Sequence, residues 1–140
     1  MIPWELHGVQ CTAASPYTVF ITTRQGPFIG PDRGRKWIPV KFGQFSEITY
    51  TRGLWAASHD PNLMYVSIGA AARSKQGALY RSRDLFQTFE KVGSGVTANS
   101  TMMAARADPR APYHVFCVAR DGETFGSTDS GVTLDGLSPT

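Results

Sequence analysis

No stretch of this 140-residue chain approaches 18 consecutive apolar residues, which excludes a membrane-spanning helix. A basic segment followed by a hydrophobic core is also missing near Met1, so no secretion signal is visible and a cytoplasmic location is favoured. Cysteine is scarce: Cys11 and Cys117 fall in different units of the chain and are expected to be buried free thiols, not a disulfide. His7, His59 and His114 are scattered, with no ligand spacing and no Cys/His cluster, so neither a metal site nor a cofactor is expected. A sustained 3.6-residue apolar stripe is absent as well, and almost no helix is expected. The net charge is only +3 and no RNA- or DNA-binding motif appears, which argues against a nucleic-acid partner.

What is present is repetition. A short phrase occurs three times: Gly30-Pro31-Asp32-Arg33-Gly34-Arg35-Lys36-Trp37, Ser82-Arg83-Asp84-Leu85-Phe86-Gln87-Thr88-Phe89 and Ser127-Thr128-Asp129-Ser130-Gly131-Val132-Thr133-Leu134. The aspartates lie 52 and 45 residues apart. A second landmark keeps step with them, a run of small residues ending at Pro16, Pro61 and Pro109, spaced by 45 and 48. Just after each proline comes a β-rich run: Tyr17 to Thr22, Leu63 to Ile68 and Tyr113 to Val118. Two landmarks with one period make a true repeat, and a repeat decides the architecture.

Each unit reads as four short strands. Val, Ile, Phe, Tyr and Thr fill the runs, while Gly, Pro, Asp and Ser cluster between them. In the middle unit the strands are expected near 53–58, 63–68, 77–82 and 88–92. Four antiparallel strands in about 40 to 50 residues is the period of a β-propeller blade. The fold class expected is therefore all-β, one propeller segment over 1–140 with blades at about 7–45, 53–94 and 101–140.

The phrases resemble the Asp-box (BNR) repeat, the blade signature of sialidases, sortilin-type receptors and photosystem II assembly factors. Its pattern is Ser/Thr-x-Asp-x-Gly-x-Thr-aromatic. The third copy fits through Thr133 but ends in Leu134; the second has Phe86 in the Gly position; the first has Gly30 and Lys36 where Ser and Thr are usual. With their flanking strands, these units cover nearly the whole chain. The resemblance implies blades and leaves function open, since one fold hosts many functions.

The residue chemistry gives the phrase a structural role. An Asp in a tight turn accepts hydrogen bonds from backbone N–H groups a few residues on, and Gly supplies positive φ at no Cβ penalty. Asp32, Asp84 and Asp129 are thus read as hairpin clamps, with a catalytic carboxylate or calcium ligand as the lesser alternative. Gly34 and Gly131 would take the left-handed position. Trp37, Phe89 and Leu134 would anchor the outgoing strands between blades.

Propellers usually have four to eight blades, so three leave two raw sheet faces, which are aggregation liabilities unless covered. Either the chain is part of a longer propeller or copies close the ring. A dimer of six blades is favoured. The segment Met1 to Leu6 is read as a possible outer strand for a neighbouring blade, and the last strand is expected to be cut short near Ser138-Pro139-Thr140.

Ten of the fourteen basic residues are arginine, and their placement is the functional clue. The turn between the second and third strands of each unit carries one: Arg24, Arg73 (with Lys75) and Arg120. In a propeller this turn shares a face with the blade-to-blade connections, which adds Lys41, Arg52 and the segments 41–52 and 93–101. Guanidinium groups there would attract carboxylate, phosphate or sulfate. Arg24, Arg52, Arg73, Lys75 and Arg120 are the candidate ligand-binding residues of a non-catalytic binding or scaffolding module, its partner an acidic protein or an anionic carbohydrate. Arg33, Arg35 and Lys36 face the other way, as solvating residues.

Two alternatives stay open. The sialidase resemblance implies a glycoside hydrolase using arginines, a Tyr nucleophile and carboxylates, for which Tyr50, Glu47, Asp121 and Glu123 are available; the Arg-Ile-Pro-like segment such enzymes carry is absent. A lectin-like propeller would use Trp55 and Tyr50 as stacking platforms, against the simpler reading of Trp55 as filler of the core or channel. No catalytic residue is assigned.

Overall fold

The computed structural model describes residues 5–93 and 95–137. They form three four-stranded sheets, each an antiparallel meander of consecutive strands. The first comprises β1 (Leu6–Gln10), β2 (Val19–Thr23), β3 (Gly26–Gly30) and β4 (Ile38–Pro39). The second comprises β5 (Tyr50–Ala56), β6 (Met64–Gly69), β7 (Gly77–Ser82) and β8 (Glu90–Lys91). The third comprises β9 (Met102–Asp108), β10 (Ala111–Ala119), β11 (Thr124–Ser127) and β12 (Asp135–Leu137). Among the described residues the helical content is one 3₁₀ turn at Phe42–Gln44, while Pro31–Gly34 is a tight turn whose Asp32 and Arg33 take left-handed backbone angles. The chain is a set of three β-propeller blades.

Three expectations shift in detail. In the middle blade β5 begins at Tyr50, and β8 shrinks to Glu90–Lys91 because the Asp84 turn runs on to Phe89. The third sheet does have its fourth strand, Asp135–Leu137; the residues Ser138 to Thr140 lie outside the described ones. Leu6 begins the first strand of its own sheet rather than an outer strand for a neighbour, and the rest of that expected segment, Met1 to Trp4, lies outside the described residues.

The blades stack through their first strands, β1 against β5 and β5 against β9. The two joints use equivalent strand positions but fill them with different side chains. Between blades 1 and 2, Phe20 meets Phe86 edge-on at 5.1 Å, amid Leu54, Met64, Val66, Ile68 and Phe89. Between blades 2 and 3, Tyr65, Leu79 and Val92 meet Val115, Cys117, Phe125 and Leu134. Every residue of β6 is buried, since its sheet is covered on both faces. Along β10, by contrast, Val115, Cys117 and Ala119 are buried while Phe116 and Val118 are exposed, the alternation of a sheet covered on one face.

Hydroxyls stitch the joints where apolar packing ends. Thr51 Oγ1 donates to the Thr23 carbonyl at 2.8 Å, and Thr101 Oγ1 to the Ala71 carbonyl at 2.7 Å. Gly77 shows how close the backbones come: a Cβ there would lie 2.0 Å from the Ser100 carbonyl oxygen, so no larger residue fits without moving the next blade. Cys117 is buried as expected, and that burial pushes its thiol up to about 12. Cys11 is exposed, since it lies just past the end of β1 in the loop to β2.

Candidate functional site

The strand register sorts the turns onto two ends. Leu6 pairs with Thr23, Tyr50 with Gly69 and Met102 with Ala119, so each β2–β3-type turn lies beside the start of its blade's first strand. That end carries Arg24, the 70–76 loop with Arg73 and Lys75, Arg120, and the blade-to-blade connections. All four cationic side chains are exposed, and among the described residues none has an ion-pair partner.

The turns that present them are fixed by short polar contacts. Thr23 Oγ1 donates to the Gly26 carbonyl at 2.9 Å and accepts from the Gln25 N–H, which closes the Arg24 turn. Ser74 Oγ donates to the Gln76 carbonyl at 2.7 Å and lies 2.9 Å from Thr101 Oγ1, tying the Arg73 loop to blade 3. The Arg120 N–H donates to the Thr101 carbonyl at 2.8 Å, and the Asp121 N–H to Ser100 Oγ. Two blades thus meet at Thr101, with a basic turn on each side. The same end carries carboxylates: Glu123 accepts from the Asn99 N–H at 2.9 Å, and Asp121 from the Glu123 N–H at 3.0 Å.

Arg52 is set apart from the other candidates. It is half-buried on β5 and its guanidinium donates to the Tyr50 hydroxyl at 3.4 Å. The Tyr50 ring lies against His7, with centroids 5.2 Å apart. His7 Nδ1 donates to the Thr51 carbonyl at 2.8 Å, and its Nε2 faces Glu5 Oε2 at 3.3 Å. Glu5, His7, Tyr50 and Arg52 therefore form one cluster across β1 and β5. No spacing signal pointed to His7, because its neighbours arrive from 44 residues away.

Among the described residues no hydrogen bond or ion pair brings Glu47, Asp121 or Glu123 to the Tyr50 phenol. The Tyr50 phenol is partnered by Arg52, while Glu123 and Asp121 are engaged in the blade 3 turn. Tyr50 and Trp55 also point to opposite neighbours. Tyr50 faces His7 of blade 1, whereas Trp55 lines a cavity of about 420 Å³ toward blade 3 with Tyr65 and Arg106. The Arg106 guanidinium lies 5.8 Å from the Trp55 ring centroid, so that ring face is already in use. Tyr65 is buried, and that burial raises its pKa against the opposing pull of the Arg81 guanidinium.

At the far end, Asp84 and Asp129 build the same clamp. Ser82 Oγ donates to Asp84 Oδ1 at 3.0 Å and accepts from the Phe86 N–H; the Thr88 N–H donates to Oδ1 at 2.8 Å and its hydroxyl to Oδ2 at 2.5 Å. In blade 3, Ser127, Gly131 and Thr133 repeat this around Asp129 at 2.7, 2.8, 2.9 and 2.6 Å. The Thr133 hydroxyl and N–H, with Ser127, hold the Asp129 carboxyl down at about 2. Partial burial pushes Asp84 upward, but its bonds from Thr88, Ser82 and Gln87 outweigh that and lower it overall.

Blade 1 departs from the clamp. Asp32 pairs with the exposed Arg35 at 3.6 Å. Asp32, Arg33 and Gly34 all take positive φ, at 51°, 62° and 78°. The Arg33 N–H donates to the Tyr17 carbonyl at 2.6 Å and its guanidinium sits 4.5 Å over the Tyr17 ring. Arg33 thus joins the turn to the β1–β2 loop and does more than solvate it. Trp37 is half-buried over Gly30 and Gly34, whereas Phe89 and Leu134 are buried between blades.

No family model matches the chain, and no curated protein matches it either. Solved structures do. A GH74 xyloglucanase from Xanthomonas campestris superposes with a TM-score of 0.70 at 19% identity, covering 93% of this chain and 21% of that one. An ancestral GH74 enzyme gives 0.75 at 14%, covering 96% and 18%. YCF48 from Cyanidioschyzon merolae gives 0.66 at 14%, covering 100% and 39%. The chain thus spans from a fifth to two fifths of these structures, and the likeness is one of β-propeller fold.

Proposed function

We propose that this chain is a segment of an Asp-box β-propeller that works as a non-catalytic binding or scaffolding module. Its ligand is an acidic protein surface or an anionic carbohydrate, held at the end that carries Arg24, Arg73, Lys75 and Arg120, with Arg52 at the inner strands. A second copy of the chain completes the ring. The observation that carries the reading is that these exposed cations sit on turns fixed by hydrogen bonds and have no carboxylate partner among the described residues. Guanidinium groups presented on such turns can bind oxyanions bidentately, with the turn backbone already ordered and the side chains ordering on binding. Two Ser-Asp-Thr clamps with the same bond pattern support the Asp-box assignment.

The hydrolase reading receives less support, since Tyr50 is partnered by a guanidinium and not by a carboxylate. Titration with poly-L-glutamate and with heparin, against neutral dextran, tests the proposal. Binding to a polyanion that weakens steeply with salt, and drops at least tenfold in Arg24→Ala/Arg73→Ala/Arg120→Ala, is the expected result. Equal binding by that variant, or turnover of a reporter glycoside by the unmodified chain, overturns it.

A further inference from the structure

We infer that the free face of blade 3 docks on the free face of blade 1 of a second copy, by repeating the contact the blades already make inside the chain. This rests on the reading that self-association completes the ring, and it adds which surfaces meet and in which direction.

The strand register identifies equivalent positions. Phe20, Tyr65 and Phe116 pair across the sheet with Ile29, Arg81 and Gly126, each of which stands three residues before its clamp aspartate. Phe20 is 1% exposed and Tyr65 is 2% exposed, each packed into the blade that follows. Phe116 has no following blade within the chain and is 43% exposed. The same aromatic plug is therefore used twice and presented a third time, with Val118 beside it.

The receiving face repeats in the same way. Phe89 and Leu134, which close the second and third clamps, are buried against the preceding blade. Trp37 closes the first, and with Leu6, Val9 and Val19 it lines a recess of about 470 Å³ on a face that no blade covers among the described residues. Val9 pairs with Ile21 as Leu54 pairs with Val66 and Ala105 with Cys117. Leu54 and Ala105 are 4% and 3% exposed; Val9 is 63% exposed. One chain thus carries both halves of a joint it has already built twice. The contact is head-to-tail, and two copies of three blades close a six-bladed ring through two identical joints.

Solution mass of the full chain and two variants decides it. Phe116→Glu spoils only the plug and Val9→Glu only the receiving face; both sites are exposed, so each variant keeps the parent's circular dichroism spectrum. The unmodified chain should run at twice its 15.3 kDa, and each variant alone at the single-chain mass. An equimolar mixture of the two variants should recover a two-chain particle, because one joint remains intact. A monomeric parent overturns this inference together with self-association. A dimeric parent whose variants stay dimeric, or whose mixture stays monomeric, overturns the joint alone. Masses that climb beyond two copies with concentration overturn ring closure.

Discussion

Blades 2 and 3 hold their outer hairpin with a buffered carboxylate, while blade 1 holds the equivalent hairpin with a tryptophan. In the first pair, Ser82–Asp84–Thr88 and Ser127–Asp129–Thr133 share one bond pattern. In blade 1, Gly30 and Lys36 remove both hydroxyls, and Trp37 lies so near that a Cβ on Gly30 would be 2.5 Å from its ring. A turn of the same length can thus be held by polar satisfaction or by stacking. The choice is local and mutually exclusive, since the serine the clamp needs occupies the space the tryptophan takes.

The largest effect should come from Phe86, which has replaced the clamp glycine at a φ of 72° and packs against Phe20 and Phe89. Phe86→Ala should lower stability by about 3–5 kcal/mol in urea unfolding, because it keeps the strained backbone and leaves a cavity in the blade 1–2 joint. Gly30→Ser should cost about 1–3 kcal/mol through overpacking against Trp37, and adding Trp37→Phe should recover part of it. A gain in stability from the serine alone would show that the two solutions are compatible after all.

Asp84→Ala removes bonds to a charged but solvent-exposed group, so a loss of about 1–2 kcal/mol is expected. Asp129 offers a pH test. Its folded pKa of about 2 is below the ~3.9 of an unfolded aspartate, so its contribution is complete above about pH 4 and is lost as pH falls through about 2. Unfolding midpoints of Asp129→Asn should therefore fall less steeply than the parent's between those limits. Asp32→Asn keeps a residue that tolerates the φ of 51° there, and should change stability by no more than about 0.5 kcal/mol. Among the described residues an exposed pair at 3.6 Å is the side-chain contact it loses. An effect as large as that of Asp84→Ala would mean that blade 1 has a working clamp.

The blade count, the strand composition and the end on which Arg24, Arg73 and Arg120 sit were legible because period and turn chemistry are local. The second copy's Phe86 was readable as a mismatch, though not as a core residue, since its partner Phe20 lies 66 residues earlier. Likewise, Arg33 read as a solvating residue until the β1–β2 loop brought Tyr17 beneath it.

The sequence by itself determined that this is an all-β repeat of three blades with an aspartate turn in each, because hydroxyls, carboxylates and glycines at fixed offsets act within one turn. The structure decided that Asp84 and Asp129 form the clamp and Asp32 does not. Only the tertiary structure decided that Tyr50 belongs with His7 and Arg52, and Trp55 with Arg106. The stacking of β1, β5 and β9 sets those neighbours, and the contacts between strands about 45 residues apart leave no mark on the local pattern.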